Sequence, residues 1–231
     1  MMKLLLFFLS LFSSLYAEVY TVYTENLPPY NFLREGKVQG RTTELLHKML
    51  KQNGDTIQGK IHMGPWAKGY HAVLNTKNTI LYSTAKTKDR ESLFKWIGPI
   101  DTVSIGLVAK KSRHIVIKDS ASLRHYKIAA PYETAAERLL LDLGLHAEEL
   151  DQFTDIYVQI RKLQEERIDA VAYGEEAIHA LLLEEGLDPY EYESVYVLKK
   201  SELYFAFNKD TPDSQINALN QILKTLKAEK K

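Results

Sequence analysis

Residues 83–100 read STAKTKDRESLFKWIGPI, and within them Ser83 and Thr84 precede Arg90, with Lys86, Lys88 and Asp89 between and Glu91 beyond. Two kinds of chemistry fit this spacing. In one, the stretch is a solvated turn in which Arg90 pairs with Asp89 or Glu91, an arrangement of little energetic weight. In the other, hydroxyls at a strand end and a guanidinium form a shelf facing something anionic. A second anion-attracting position is Thr134, at the start of a helical pattern, where unpaired amides and the helix dipole favour negative charge. The same hydroxyl is equally suited to capping its own helix, since Thr134 and Glu137 have the spacing of a capping box. Nucleophile triads and metal centres find no support: the chain has no cysteine, and its seven histidines are scattered without ligand spacing. Neither a metal nor another cofactor is expected.

These residues need elements to hold them, and short β-rich runs alternate with helical patterns along the chain. EVYTVYTE (18–25) alternates with the period of a strand and runs into the proline-broken loop NLPPYNF. Leu45, Leu46, Met49 and Leu50 form one helical face, closed by Gly54. TIQGKIHM reads as a strand, GPWAKGYHAVL as a helix with Pro65 in its first turn, and NTILYST as a strand leading to Ser83. Further on, YKIAAP is a buried strand, ETAAERLLLDLGL a helix closed by Gly144, and IYVQIRKLQEERIDAVAYG a helix followed by a strand over 168–173. EEAIHALLLEEG is helical, ESVYVL and ELYFAFN are strands, and the last helix puts Ile216, Leu219, Leu223 and Leu226 on one face. Strands alternating with helices of this length predict an α/β fold.

The opening MMKLLLFFLSLFSSLYA carries one charge, Lys3, and then an apolar run too short to span a bilayer. That order predicts a secretory signal peptide over residues 1–17, with cleavage after Ala17 and a periplasmic, exported protein. Formal net charge is zero, with Lys and Arg dispersed among Asp and Glu, so nucleic-acid binding has no electrostatic support. A monomer is expected.

The order of these segments resembles the bacterial periplasmic solute-binding proteins of the amino-acid type, family three, the substrate-binding component of an ABC transporter. The resemblance lies in Pro28–Phe32 with Gly36 and Gly40, in Ser83, Thr87 and Arg90 at the spacing S-x-x-x-T-x-x-R, and in YKIAAPYETAAERLL. It continues in LQEERIDAVAYGEEA and in ELYFAFNKDTP with LNQIL, covering nearly all of residues 18–228. It implies an α/β fold of two lobes, each a mixed sheet flanked by helices, joined by two hinge strands and closing on a solute held between them. Lobe one would take residues 18–102 plus 200–231 and lobe two residues 103–199, with DTVSI and VLKKS as the crossings.

By the same resemblance, Arg90 holds a ligand carboxylate through its planar two-pronged guanidinium. Ser83 and Ala85 line the shelf, and Thr134 is the anion site of lobe two. Tyr30 takes the place where the family stacks an aromatic on its ligand. Trp66, Tyr23 and Tyr132 are further candidates for the pocket, each equally able to pack in the core or on the rim. One departure bears on the ligand. The family presents an aspartate after its D-A strand to receive an ammonium group, whereas this chain has Gly174, with Glu175 next to it; Ala135 likewise replaces a threonine. Either Glu175 supplies the counter-charge or the ligand lacks an α-ammonium group. The implied function is binding of a small carboxylate-bearing solute, an amino acid or related compound, for delivery to the membrane permease of an ABC importer. The alternative is a dehydratase-like exported enzyme on the same fold, with Glu175 as general acid of raised pKa.

Overall fold

The computed structural model describes residues 17–229; the expected signal peptide lies, but for its last residue, outside them. In the first part of the chain β1 (Val19–Thr24), β2 (Phe32–Arg34), β3 (Lys37–Gln39), α1 (Arg41–Asn53), β4 (Thr56–Ile57), β5 (His62–Met63), α2 (Trp66–Asn75) and β6 (Thr79–Ala85) lead into the long strand β7 (Phe94–Lys110). Then follow β8 (Ile128–Pro131), α3 (Ala135–Asp142), β9 (Asp151–Phe153), α4 (Ile156–Gln164), β10 (Ala170–Gly174) and α5 (Glu175–Glu184). The long strand β11 (Tyr192–Asn208) and α6 (Asp213–Ala228) complete the order.

One nine-stranded sheet runs β4-β1-β6-β11-β7-β10-β8-β9, with β5 also on β1. At one end β4, β5 and β6 are parallel to β1, and at the other β8, β9 and β10 are mutually parallel, as α/β crossovers require. β7 and β11 bridge the two. Each pairs outward through its last third: Leu203–Phe207 of β11 with β6, and Ile105–Ala109 of β7 with β10. The two strands also pair with each other along their length, from Tyr192 opposite Lys110 to Asn208 opposite Phe94, with Lys199 opposite Ile105 and Ser201 opposite Val103 at the middle. Two α/β lobes therefore share a pair of connecting strands.

Local sequence accounts for most elements. α1 buries Leu45, Leu46, Met49 and Leu50, and ends at Gly54 in the left-handed region (φ 83°), which lets the Gly54 and Asp55 amides bond back to Lys51 and Leu50. Burial of each of those four side chains contributes about 1.5–3 kcal/mol. Gly40 opens the helix at φ 120° because a side chain there has no room: a Cβ would come within 2.3 Å of the Tyr30 carbonyl oxygen. α6 buries Ile216, Leu219 and Leu223, with Leu226 half-buried against the same core.

Two strand readings change. TIQGKIHM is two short strands, because the chain turns at Gly59 (φ 67°) and re-forms its pairing with β1 further along. ESVYVL and ELYFAFN are one continuous strand, whose irregular registers at Ser194/Tyr196, Val197/Lys199 and Leu203/Phe205 let a single strand bend across both lobes. Glu166 stands where the LQEERIDA segment's resemblance has glycine. It takes the left-handed conformation itself (φ 57°), with its carboxylate beside Lys110 and Arg113.

Candidate functional site

β6, the turn after it, the ends of β1 and β10, and the start of α3 meet around a cavity of about 50 Å³ between the lobes. Arg90 dominates its wall. Lys86, Lys88, Asp89 and Glu91 are exposed, yet Arg90 between them is 4% exposed. Glu91 pairs with Lys86 at 2.8 Å, and among the described residues no carboxylate lies within ion-pair distance of Arg90. The solvated-turn reading of the stretch is thereby excluded. Instead the guanidinium stacks near Trp66 and Tyr70, 5.1 and 5.4 Å from their ring centres. Its Nη2 donates to the Glu133 carbonyl oxygen across the lobe boundary at 2.7 Å, while Nη1 is buried without an acceptor. Burial pulls the Arg90 pKa down, against neighbours that favour the charge, but a guanidinium remains protonated in any protein setting.

Ser83 and Ala85 line the cavity at the end of β6. Ser83 adopts φ 58°, uncommon for a residue with a side chain, and its hydroxyl is tied inward to Asn31 Oδ1 and Thr42 Oγ1. It shapes the shelf with its backbone. Thr134 also lines the cavity, but its hydroxyl donates to the Pro131 carbonyl and accepts from the Glu137 amide, so it caps α3. The Glu137 carboxylate turns back to the Glu133 amide at 2.7 Å. Ala135 and Ala136, in the first turn of α3, also line the cavity.

The aromatic candidates separate. Trp66 lines the cavity, is 6% exposed, and keeps its indole Nε1 buried without an acceptor. Tyr30 turns away from the cavity. The tight turn in which Leu27 and Asn31 pair swings its ring beneath the loop, where the hydroxyl donates to the Thr102 carbonyl at 2.7 Å and Arg41 covers the ring at 4.2 Å. Leu27 takes the lining position instead. Tyr23 stacks on His62 at 5.1 Å and lies off the cavity. Tyr132 is exposed and lies off the cavity, bordering an outer annex of about 310 Å³, which adjoins the cavity through Glu25, Trp66, Pro131 and Tyr173.

Glu175, the expected counter-charge or general acid, points elsewhere. Its carboxylate receives the Ser194 hydroxyl and lies over Gly106, outside both cavities. Gly174 does line the cavity, in a corner so tight that a Cβ would meet Val103 at 3.2 Å and Leu27 at 3.3 Å. A side chain there would require Val103 and Leu27 to give way.

The acidic group that does line the cavity is Glu25, one residue past β1, and the sequence reading passed over it. Its place at the strand–loop junction before Leu27 was the available signal. Burial pushes its pKa up to about 7, opposed by the Arg90 charge and the Tyr173 hydroxyl. Tyr173, at the end of β10, donates to the Asn26 carbonyl at 2.6 Å, and burial raises its own pKa further. Together these residues form a largely apolar recess with one buried cation and one half-buried carboxyl whose pKa is raised. Chemically that suits reversible binding of a small polar solute.

Comparison with known proteins agrees with this architecture. The model of the bacterial extracellular solute-binding proteins, family 3, matches residues 20–231. Among solved structures, a substrate-binding protein of an ABC uptake transporter from Streptococcus pneumoniae with bound histidine superposes with a TM-score of 0.79. It is 14% identical, over 91% of this chain and 87% of that one. An ancestral arginine-binding protein bound to arginine gives 0.75 at 18% identity, over 91% and 92%. A histidine kinase sensor domain with similarity to periplasmic binding proteins gives 0.76 at 17% identity, over 91% of each chain. No curated protein sequence matches the chain. These similarities establish the two-lobed fold of type II periplasmic binding proteins. No described helix is long and apolar enough to cross a membrane.

Proposed function

The chain belongs to the bacterial extracellular solute-binding proteins, family 3, and from that premise we propose that it binds a small carboxylate-bearing solute, an amino acid or related compound, in the cavity between its lobes. The observation that carries this reading is the Arg90 guanidinium: buried, without a carboxylate partner, and with Nη1 lacking any acceptor on the cavity wall. A buried charge is stable only when paired and hydrogen-bonded, and a carboxylate supplies both the charge and two acceptors in the geometry of the fork. Support also comes from the structural neighbours named above as binding histidine and arginine. In this reading the protein is exported to the periplasm, its signal peptide removed, and it hands its solute to the permease of an ABC importer.

The test is a thermal-shift screen of the purified protein against amino acids, other carboxylates and amines. A ligand of the folded state alone raises the melting temperature with the logarithm of its saturation. Carboxylates should be the compounds that stabilise; stabilisation confined to amines and neutral solutes would overturn the reading.

Lobe one comprises residues 18–102 and 200–231, and lobe two residues 103–199, with the paired segments 101–105 and 197–201 as the hinge. Closure then moves rigid bodies about strand residues. Ligand at saturation should leave helix content unchanged while shifting the equilibrium toward the compact form, lowering the radius of gyration in small-angle scattering. A fall in helix content on binding would contradict hinge closure.

A further inference from the structure

We propose that the exported protein begins at Glu18, and that the α-amino group freed there is the cation that pairs with the buried carboxylate of Asp55. This rests on the reading above in which the signal peptide is removed, and it gives that removal a role in stability.

Asp55 lies between Gly54, which closes α1, and β4, and is 4% exposed. Its donors are all neutral. The Glu18 amide donates to Oδ1 at 2.9 Å, and the side-chain amides of Asn53 and Gln215 donate to Oδ2, each at 2.8 Å. The ion pairs among the described residues all lie elsewhere. A buried carboxylate calls for a cation as well as hydrogen bonds. The amide nitrogen of Glu18 already stands at ion-pair distance from it.

The fold fixes Glu18 at three points. Its nitrogen is held by Asp55, its carbonyl accepts from the Thr56 amide at 2.9 Å, and its carboxylate accepts from Asn78 Nδ2 at 3.0 Å. Ala17, before it, is exposed and outside any element. Hydrolysis of the Ala17–Glu18 bond breaks the C–N link. Water's oxygen stays on Ala17 as its new carboxylate, and Glu18 leaves as an amine that takes up a proton. One neutral donor facing Asp55 thereby becomes a charged group with three. A start at Ala17 leaves Asp55 with the neutral amide, and a start at Val19 deletes both the amide and the carbonyl that Thr56 uses. Only the cut before Glu18 completes the pair.

Intact mass of the exported protein and melting curves at neutral pH decide it. The protein should begin at Glu18. Three purified chains are then compared: one beginning at Glu18, the same chain Nα-acetylated, and one beginning at Ala17. Acetylation keeps the N–H and removes the charge. The free Glu18 chain should melt about 3 °C or more above the other two, and Asp55→Asn should erase the gap between free and acetylated chains. Should Asp55→Asn not fold, titration of the α-amino group in the Glu18 chain decides instead. A carboxylate partner holds it above the ordinary value of about 8, and a value at or below that overturns the pairing. The other ionisable groups beside it are the Glu18 carboxylate and the Tyr20 hydroxyl, whose pKa burial raises. Equal melting of the three chains, or a gap that survives Asp55→Asn, would overturn the pairing while removal of the signal peptide stands. A protein that begins at another residue near Glu18 would do the same. A protein still beginning at Met1 would sink the reading of signal-peptide removal itself, and the proposal with it.

Discussion

Arg90→Ala lowers affinity for the solute found by the thermal screen by roughly thirtyfold or more, the equivalent of about 2–5 kcal/mol for a desolvated charge pair that loses one partner. The protein itself should not unfold with it. In the structure Arg90 spends one donor on the Glu133 carbonyl and leaves another unsatisfied, so its removal takes away a buried charge that contributes little net stability. Arg90→Lys separates charge from geometry. Lysine keeps the positive charge but cannot present two parallel N–H groups to a carboxylate, nor lie flat between Trp66 and Tyr70. Both variants should therefore lose affinity while their melting temperatures without solute stay near that of wild type. The measurement is calorimetric titration of all three proteins with the same solute. Wild-type affinity in Arg90→Ala would remove Arg90 from the site, and with it the carboxylate as the group recognised.

The second large effect concerns stability and pH. Glu25 has a folded-state pKa of about 7 against an ordinary value of 4.5, with burial as the main cause. A carboxyl whose pKa is raised on folding holds its proton longer in the native than in the unfolded state. Between about pH 4.5 and 7 the native protein therefore binds more protons, and its stability falls as the pH rises. Above pH 7 the penalty is complete, at about 3 kcal/mol for a shift of this size. Glu25→Gln keeps the shape, removes the ionisation, and should melt above wild type at pH 8, by roughly 6–12 °C for a protein of this length. At pH 4.5, where Glu25 is protonated in the native protein, the difference should vanish. Melting curves from pH 4.5 to 8.5 check this. A variant less stable than wild type at pH 8, or a wild-type advantage constant across the range, would mean that the Glu25 carboxyl is ionised and well solvated in the native state.

How much of this was written in local sequence can be judged element by element. Leu45, Leu46, Met49 and Leu50 announced α1 because helical periodicity is a property of neighbours, and Gly54 its end because only glycine takes that conformation cheaply. Thr134 and Glu137 marked the start of α3 for the same reason: the cap is made within four residues. The family resemblance of the S-x-x-x-T-x-x-R segment singled out Ser83, Ala85 and Arg90, and the fold places all three around one cavity.

Other matters were beyond neighbours. Tyr30 and Leu27 both sit in one proline-rich loop, and only the turn that pairs Leu27 with Asn31 decided which faces the cavity. Adjacent residues at the end of β10 diverged likewise: Gly174 stays on the cavity, while Glu175 is drawn to Ser194 on β11, nineteen residues away in sequence. Glu25 stood in view as an ordinary carboxylate after a strand. Its place between two cavities, beside Trp66, Tyr173 and Arg90 from three distant segments, and the desolvation that raises its pKa against the pull of Arg90 and Tyr173, arise only in the folded chain. Hydrophobic period and capping are short-range and can be read along the chain. The desolvation and orientation of a polar group depend on what the fold packs against it, and that is settled only when the two lobes meet.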